Sequence, residues 1–285
     1  MARVAGKVAF ITGAGIGQGR SHAVRLAEEG ADIIITDACA PISPAVDYKA
    51  ATEEDLETTK KLVEKTGQRC VSAIADVRDR SAIESALDAG IAEFGHLDIV
   101  CANAGIMTVL EHSWDATVEE VDAVIDTNLK GAWNTAVCSA KRMAEGRRGG
   151  SIILISSTAG LRGQSPYASY TGSKHGVVGL MKAFANEFAP YRIRVNTVHP
   201  TGVLTEGLGT FSERTIGVIT ATAAGISGGT NVLPDLDADP DADYAPVPML
   251  MPAEISNAVL WLASEEARYV TGVSLAVDAG NTVKP

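Results

Sequence analysis

"ITGAGIGQGR" (residues 11–20) ends the apolar run "KVAFIT" (7–12) and leads into a segment with helical spacing at 17–29. A strand that breaks on glycines 13, 15, 17 and 19 and becomes a helix makes a turn open to close backbone approach. Glycine permits the sharp reversal, and the helix that follows presents its uncovered N–H groups and positive end to whatever docks there. A pyrophosphate fits such a turn. The strict G-x-G-x-x-G spacing is not met, and Thr12-Gly13-x-x-x-Gly17-x-Gly19 stands in its place. A turn that is merely tight is the other reading.

The same rhythm repeats along the chain. "DIIITD" (32–37), "CVSAIA" (70–75), "LDIVCA" (97–102), "SIILIS" (151–156), "IRVNTV" (193–198) and "VSLAV" (273–277) read as further strands. Their near-continuous apolar character suits strands covered on both faces, as in a parallel sheet. Helical patterns fall between them at about 53–66, 79–94, 115–145, 166–189 and 253–264, after the first at 17–29. Strand–helix alternation predicts an α/β fold with a doubly wound, seven-stranded parallel sheet and helices on both faces, in one domain over residues 1–285.

Two stretches interrupt the pattern. Residues 38–52 hold two prolines where a short loop is expected, and residues 200–252 far exceed an ordinary connection. Long irregular segments of compact domains are commonly functional. The first reads as an insert, and the part from about 206 to 252, with "LGTF", "VITATAAG" and "VPMLM", as a mobile lid over a small apolar substrate. Trp114 and Phe211 are candidates for lining that pocket or for packing the core. "PDLDADPDADY" (234–244) imitates a calcium loop, but Pro240 stands where glycine is needed, so no metal is expected.

Hydrophobic residues at 46% and charged residues at 21% are the balance of a soluble globular protein. A net charge of −11 without basic patches argues against nucleic acid or an anionic membrane as partner. Cys39, Cys70, Cys101 and Cys138 form no C-x-x-C pair and suit reduced thiols. With no long apolar segment at the N-terminus, a cytoplasmic protein is expected.

Asp37 ends the second strand about 20 residues past the glycines, where a carboxylate can accept hydrogen bonds from a ribose diol and repel a 2′-phosphate. NAD is therefore favoured over NADP, although Arg20 brings a positive charge near the turn; a capping or loop carboxylate is the alternative. Asp76-Val77 and Asn103-Ala104-Gly105 follow the third and fourth strands, at the sheet edge where ligands bind. Ordinary turn chemistry also explains both. Tyr170 and Lys174, in "YTGSK" (170–174), share one helix face, and a nearby ammonium favours a phenolate able to act as acid or base. Alone, this spacing also suits a surface pair. Ser156 and Ser157 end the fifth strand at the same edge. Asn128, in "DTNLKG", is polar where an apolar residue would be cheaper, and a satisfied buried amide is its other reading.

Together, Thr12-Gly13-x-x-x-Gly17-x-Gly19, Asn103-Ala104-Gly105, Asn128, Ser157 and Tyr170-x-x-x-Lys174 resemble the motif set of the short-chain dehydrogenase/reductase family across essentially the whole chain. The resemblance implies a Rossmann fold and an NAD-dependent oxidoreductase that interconverts a secondary alcohol and its ketone. It implies that Tyr170 exchanges the proton, Lys174 holds the nicotinamide ribose and lowers the phenol's pKa, Ser157 fixes the substrate oxygen and Asn128 orders a water. It also implies cofactor contacts from Gly13, Ile16, Gly17, Gln18 and Gly19, from Asp37, Asp76 and Val77, and from Asn103, Ala104 and Gly105. Tyr170 and Lys174 belong to that set too, as do Pro200, Val203 and Thr205 of "HPTGVLT", where Thr201 stands in place of the family's usual glycine. A homotetramer is implied through the helices at 115–145 and 166–189.

"GQGRSHAVRLAEEGADIIITD", the proline-containing insert and "ARYVTGVSLAVDAG" are similar to the carveol-dehydrogenase-like subgroup of actinobacteria. That likeness implies a terpenoid or other alicyclic alcohol as substrate. It also implies an insert that covers NAD and hinders its exchange, and the alternative to an ordinary NAD-dependent enzyme is then the same chemistry with NAD reoxidised in place by an external redox carrier of the mycofactocin type. An NAD-sensing protein without catalysis is the alternative of another class.

Overall fold

The computed structural model describes residues 2–207, 210–213, 215–218, 231–237 and 249–283. Seven strands form one sheet: β1 (Val8–Thr12), β2 (Asp32–Asp37), β3 (Cys70–Ile74), β4 (Ile99–Ala102), β5 (Gly150–Ile155), β6 (Ile193–Pro200) and β7 (Ser274–Val277). All neighbours run parallel in the order β3-β2-β1-β4-β5-β6-β7. The central strands read as continuous apolar runs because both faces are covered; every residue of β1 and β4 is buried. Strand order reverses between β1 and β4, so the crevice outside their carboxyl ends is where such a sheet receives ligands.

The helices divide between the two faces. Leu26 of α1 (Gly17–Glu28), Leu56 and Val63 of α2 (Glu53–Glu64) and Ile255 and Val259 of α7 (Pro252–Ala263) pack with Ile11, Ile33 and Ile35 on one side. Ile83 and Leu87 of α3 (Arg80–Phe94), Met143 of α5 (Gly131–Gly146) and Met181 and Phe184 of α6 (Ala168–Glu187) pack with Phe10, Ile34 and Val100 on the other. Local chemistry sets the ends. Thr52 and Asp55 form a capping box at α2, Asp79 caps α3, and Gly95 ends α3 at φ 85°.

The continuous helix expected at 115–145 is broken. A capping box between Thr117 and Glu120 starts α4 (Val118–Ile125), one turn at Asp126–Lys130 widens to π geometry, and α5 follows. Periodicity does not register the inserted residue, and such bulges cluster at functional sites. Asn128 lies within it.

His22 of α1 is fully buried against α7, with Nδ1 2.8 Å from Ser256 Oγ, and burial pushes its imidazole down to about 3. The unfolded chain takes up a proton below about pH 6.5 that the folded chain refuses until about pH 3. Stability contributed by the neutral ring is therefore complete above pH 6.5 and lost as pH falls towards 3, by on the order of 4 kcal/mol in full. Urea denaturation at pH 7 and pH 5 checks this: the wild type should lose clearly more stability over that interval than His22→Asn.

Candidate active site

The first turn is built as a cradle. A Cβ on Gly13 would lie 2.7 Å from Ala104 Cα, and one on Gly19 would overlap the Gly13 carbonyl and approach Asn103 Nδ2 at 2.6 Å. The loop after β4 thus rests directly on the glycines. Asn103 Nδ2 donates to the carbonyls of Thr12 and Gly13 at 3.0 Å each, and Thr12 Oγ1 accepts from the amides of Asn103 and Ala104 at 3.2 Å each. Asp37 binds the same turn: Oδ2 accepts from Gly15 N at 2.9 Å and Oδ1 from Cys39 N at 3.1 Å.

Two observations test whether this cradle fits a dinucleotide. The Gly17 amide at the α1 N-terminus already holds an anion of the chain's own, the Glu206 carboxylate, at 3.0 Å, and Arg20 Nη1 holds its other oxygen at 3.0 Å. The amide therefore serves an anion, as a pyrophosphate would require. Buried Gln18 Oε1 and Thr127 Oγ1 have no hydrogen-bond partner among the described residues, and both residues line the adjoining cavity. The residues present fit NAD.

That cavity, of about 900 Å³, runs from the glycine turn to the end of β5. It brings together Gly13, Ile16, Gly17, Gln18, Asp37, Asp76, Val77, Asn103, Ala104, Gly105, Ser157, Tyr170, Lys174, Val203 and Thr205. Three expected site residues do not line it. Gly19 lies beneath the turn, Pro200 ends β6 beside Val277, and Asn128 stands behind the wall. Asp76 lines it while paired to Arg78, with Oδ2 2.6 Å from Nη2. Thr201, in the glycine's usual place, donates to Asn231 Oδ1 at 3.1 Å, and the chain continues to Val203, which bridges Leu250.

Tyr170 and Lys174 sit in the first turns of α6, after the strand end that carries Ser156 and Ser157. The Tyr170 ring packs on Ile106, Ala123 and Val124, with Ile42 and Val46 of the 38–52 segment against the same cluster. Lys174 Nζ lies 5.5 Å from that ring's centroid and donates to the Ile155 carbonyl at 2.9 Å. Burial pushes the lysine down to about 8. Burial also pushes the Tyr170 phenol up from its ordinary value, against a lowering hydrogen bond with the Ser157 side chain. Burial thus sets the direction of both shifts, and it works against the charged form of each group.

The Asn128 side chain is hydrogen-bonded within the fold. Nδ2 donates to the Ile106 carbonyl at 2.8 Å and to Ser173 Oγ at 3.1 Å, while Oδ1 accepts from Ile106 N at 2.7 Å. It fastens the loop after β4 to α6 and so sets the distance between cradle and phenol. Ser156 is likewise structural, donating to the Lys174 carbonyl at 3.0 Å. The Ser157 carbonyl lies 2.7 Å from His199 Nδ1, and its Oγ accepts from Ala159 N at 3.1 Å.

Trp114 neither lines the cavity nor packs the core: it is 80% exposed and stacks on His112. Phe211, Ile216 and Met249 of the 206–252 segment do line the cavity, whereas much of "VITATAAG" and "VPMLM" lies outside the described residues, as does most of the acidic loop. Among the described residues there is no cluster of three metal-ligating side chains, and no helix is long and apolar enough to cross a membrane. The four cysteines are unbridged.

Sequence reasoning missed Tyr48. It enters the cavity from the 38–52 segment, with its ring edge-on to Phe211 at 5.3 Å and its Oη accepting from Met107 N at 3.2 Å. A tyrosine in an irregular segment carries no periodicity that could have revealed it. Around Tyr48 the two irregular segments are joined: Asp47 accepts from Ser212 N at 3.3 Å and Thr215 Oγ1 at 2.6 Å, and Lys49 N donates to Thr210 Oγ1 at 2.8 Å.

The short chain dehydrogenase family model matches residues 7–215. Among relatives, the (−)-trans-carveol dehydrogenase of Rhodococcus erythropolis is 42% identical over the whole of both chains. A crystal structure of carveol dehydrogenase from Mycobacterium avium in complex with NAD superposes with a TM-score of 0.89 at 44% identity, covering 100% of each chain. A short chain dehydrogenase from Mycobacterium paratuberculosis bound to NAD also reaches 0.89, at 42% identity, covering 99% of this chain and 100% of that one. With cradle, serine, phenol and lysine gathered on one cavity, the chain belongs to the short-chain dehydrogenase/reductase family of oxidoreductases, in its carveol-dehydrogenase-like subgroup.

Proposed function

We propose that the protein is an NAD-dependent dehydrogenase that interconverts a small hydrophobic secondary alcohol, of terpenoid or alicyclic type, and its ketone. One observation carries the reading: the Ser157 hydroxyl, the Tyr170 phenol and the Lys174 ammonium share a cavity with a cradle that fits a dinucleotide.

The glycine turn, with Ile16 and Gln18, holds the pyrophosphate, and Asp37 holds the adenine ribose. Asp76 and Val77 border the adenine. Asn103, Ala104, Gly105, Val203 and Thr205 border the nicotinamide half, with Lys174 on its ribose, and Pro200 supports that wall from the end of β6. Bound NAD supplies the hydride acceptor and brings into the cavity a positive charge, whose sign favours the phenolate. Ser157 Oγ holds the alcohol oxygen against Tyr170 Oη, which accepts the alcohol's proton during oxidation and returns one during reduction. Asn128 positions α6 and the loop after β4, and apolar Ile106, Met107 and Met249 exclude water from the ring of the substrate.

A second reading keeps this chemistry with NAD that does not exchange and is reoxidised in place by an external carrier of the mycofactocin type. The bonds of Asp47 and Lys49 to the 206–252 segment, and of Glu206 to Arg20, favour it, because they close cover and lid over the cradle. Half-exposed Trp133 and exposed Val118 on α5 and α4 support a homotetramer through these helices, and a cytoplasmic location accords with unbridged thiols.

Native mass spectrometry of purified protein, followed by an alicyclic alcohol panel with and without added NAD, tests both. Turnover that depends on added NAD supports free exchange. Co-purified NAD reduced once per subunit, with turnover restored only by an artificial electron acceptor, supports reoxidation in place. Oxidation of no alcohol under either condition overturns the dehydrogenase reading.

A further inference from the structure

Among the described residues, the Tyr48 hydroxyl has one bond, and it is as acceptor: the Met107 amide donates to Oη at 3.2 Å. A phenol has a proton of its own to donate. That proton has no acceptor here, although burial pushes the phenol up to about 12, as expected of a group withdrawn from water. Tyr48 is partly buried and lines the cavity, so its proton is left for a molecule that enters there.

The position of the donor limits what it can serve. Tyr48 lines the same cavity as Ser157 and Tyr170, and charge on Tyr170 is felt at Tyr48, yet the two phenols make no hydrogen bond. The cavity that both line, of about 900 Å³, has space for a molecule. Tyr48 enters from the side of Met107 and Phe211. Phe211 meets its ring edge-on and Gly207 closes over the same ring, where a Cβ would sit 3.5 Å from Cδ2. The ring is thereby held and the hydroxyl aimed.

We propose that Tyr48 is a substrate-binding residue whose hydroxyl donates to a second oxygen on the substrate, so that the preferred substrates are ring alcohols carrying an ether, hydroxyl or carbonyl oxygen away from the reacting carbon. This rests on the dehydrogenase reading above. The segment that covers the cofactor thus also reads the substrate. An apolar group at the same place leaves the donor buried and unpaired and is discriminated against.

The test uses matched pairs of similar size, 3- and 4-methoxycyclohexanol against 3- and 4-ethylcyclohexanol, with kcat and KM measured separately. In the wild type, at least one methoxy compound should exceed its ethyl partner by about 10-fold in kcat/KM, mainly through KM. In Tyr48→Phe, which keeps the ring against Phe211, that ratio should fall close to one. No methoxy preference in the wild type overturns the proposal even if Tyr48→Phe fails to fold. A Tyr48→Phe effect equal on both members of a pair, or none on either, also overturns it, since that is what cover or packing alone produces. A wild type that oxidises the ethyl compounds without preference leaves the dehydrogenase reading standing and sinks this one. A wild type that oxidises none of the four, under either cofactor condition, overturns both.

Discussion

Tyr170→Phe should lower alcohol oxidation by roughly 100- to 10,000-fold, the range by which a positioned acid or base accelerates proton transfer. The substitution removes one oxygen and keeps the ring that packs on Ile106, Ala123 and Val124, so the fold and the cradle should persist. Single-turnover absorbance of the reduced cofactor, alongside a thermal melt and a measurement of bound NAD, checks it. A variant within a few fold of the wild type would mean that another group moves the proton, and Tyr48 and Tyr167, whose phenols also line the cavity, become the candidates. Burial pushes the Tyr170 phenol above its ordinary value, so an oxidation rate that rises with pH towards the alkaline side is the expected profile. That rise should vanish in the variant.

Gly19→Ala is the second large effect, and it acts through backbone rather than chemistry. The added methyl would overlap the Gly13 carbonyl and lie 2.6 Å from Asn103 Nδ2. Neither neighbour can yield cheaply, since the amide of Asn103 is itself bonded to Thr12 and Gly13. Overpacking of this kind costs about 1–3 kcal/mol or more, which for a chain of this size is a fall in Tm of roughly 3–10 °C. NAD binding should be lost with it, because the turn proposed to receive the pyrophosphate is the part displaced. Differential scanning fluorimetry with and without added NAD reads both effects. A normal melt with a full NAD-induced shift would show that the turn tolerates a side chain and that the packing argument fails.

The two variants separate what was legible in the residues from what was not. Number and direction of the strands could be read because buried parallel strands are apolar throughout and the helices between them keep a 3.6-residue period. The glycine turn and the Tyr170–Lys174 spacing were legible because both are local, four to eight residues long, and demand particular residue types. The widened turn at Asp126–Lys130 was not, since one extra residue in a helix leaves no mark on its composition. Nor was the burial of the pair: spacing says that an ammonium is near, whereas desolvation depends on how much of the chain closes around both groups.

What the sequence determined by itself is the doubly wound sheet and the cradle at its first turn, because hydrophobic period and glycine geometry act within a few residues. What only the tertiary structure decided is which groups from distant segments meet around that cradle: Asn128 as a clamp on Ile106, Glu206 on the Gly17 amide, and Tyr48 on Phe211 and the Met107 amide. Those meetings depend on how irregular segments fold back across a finished sheet. No periodicity encodes that path, and the hydrogen bonds that hold it exist only once the packing is complete.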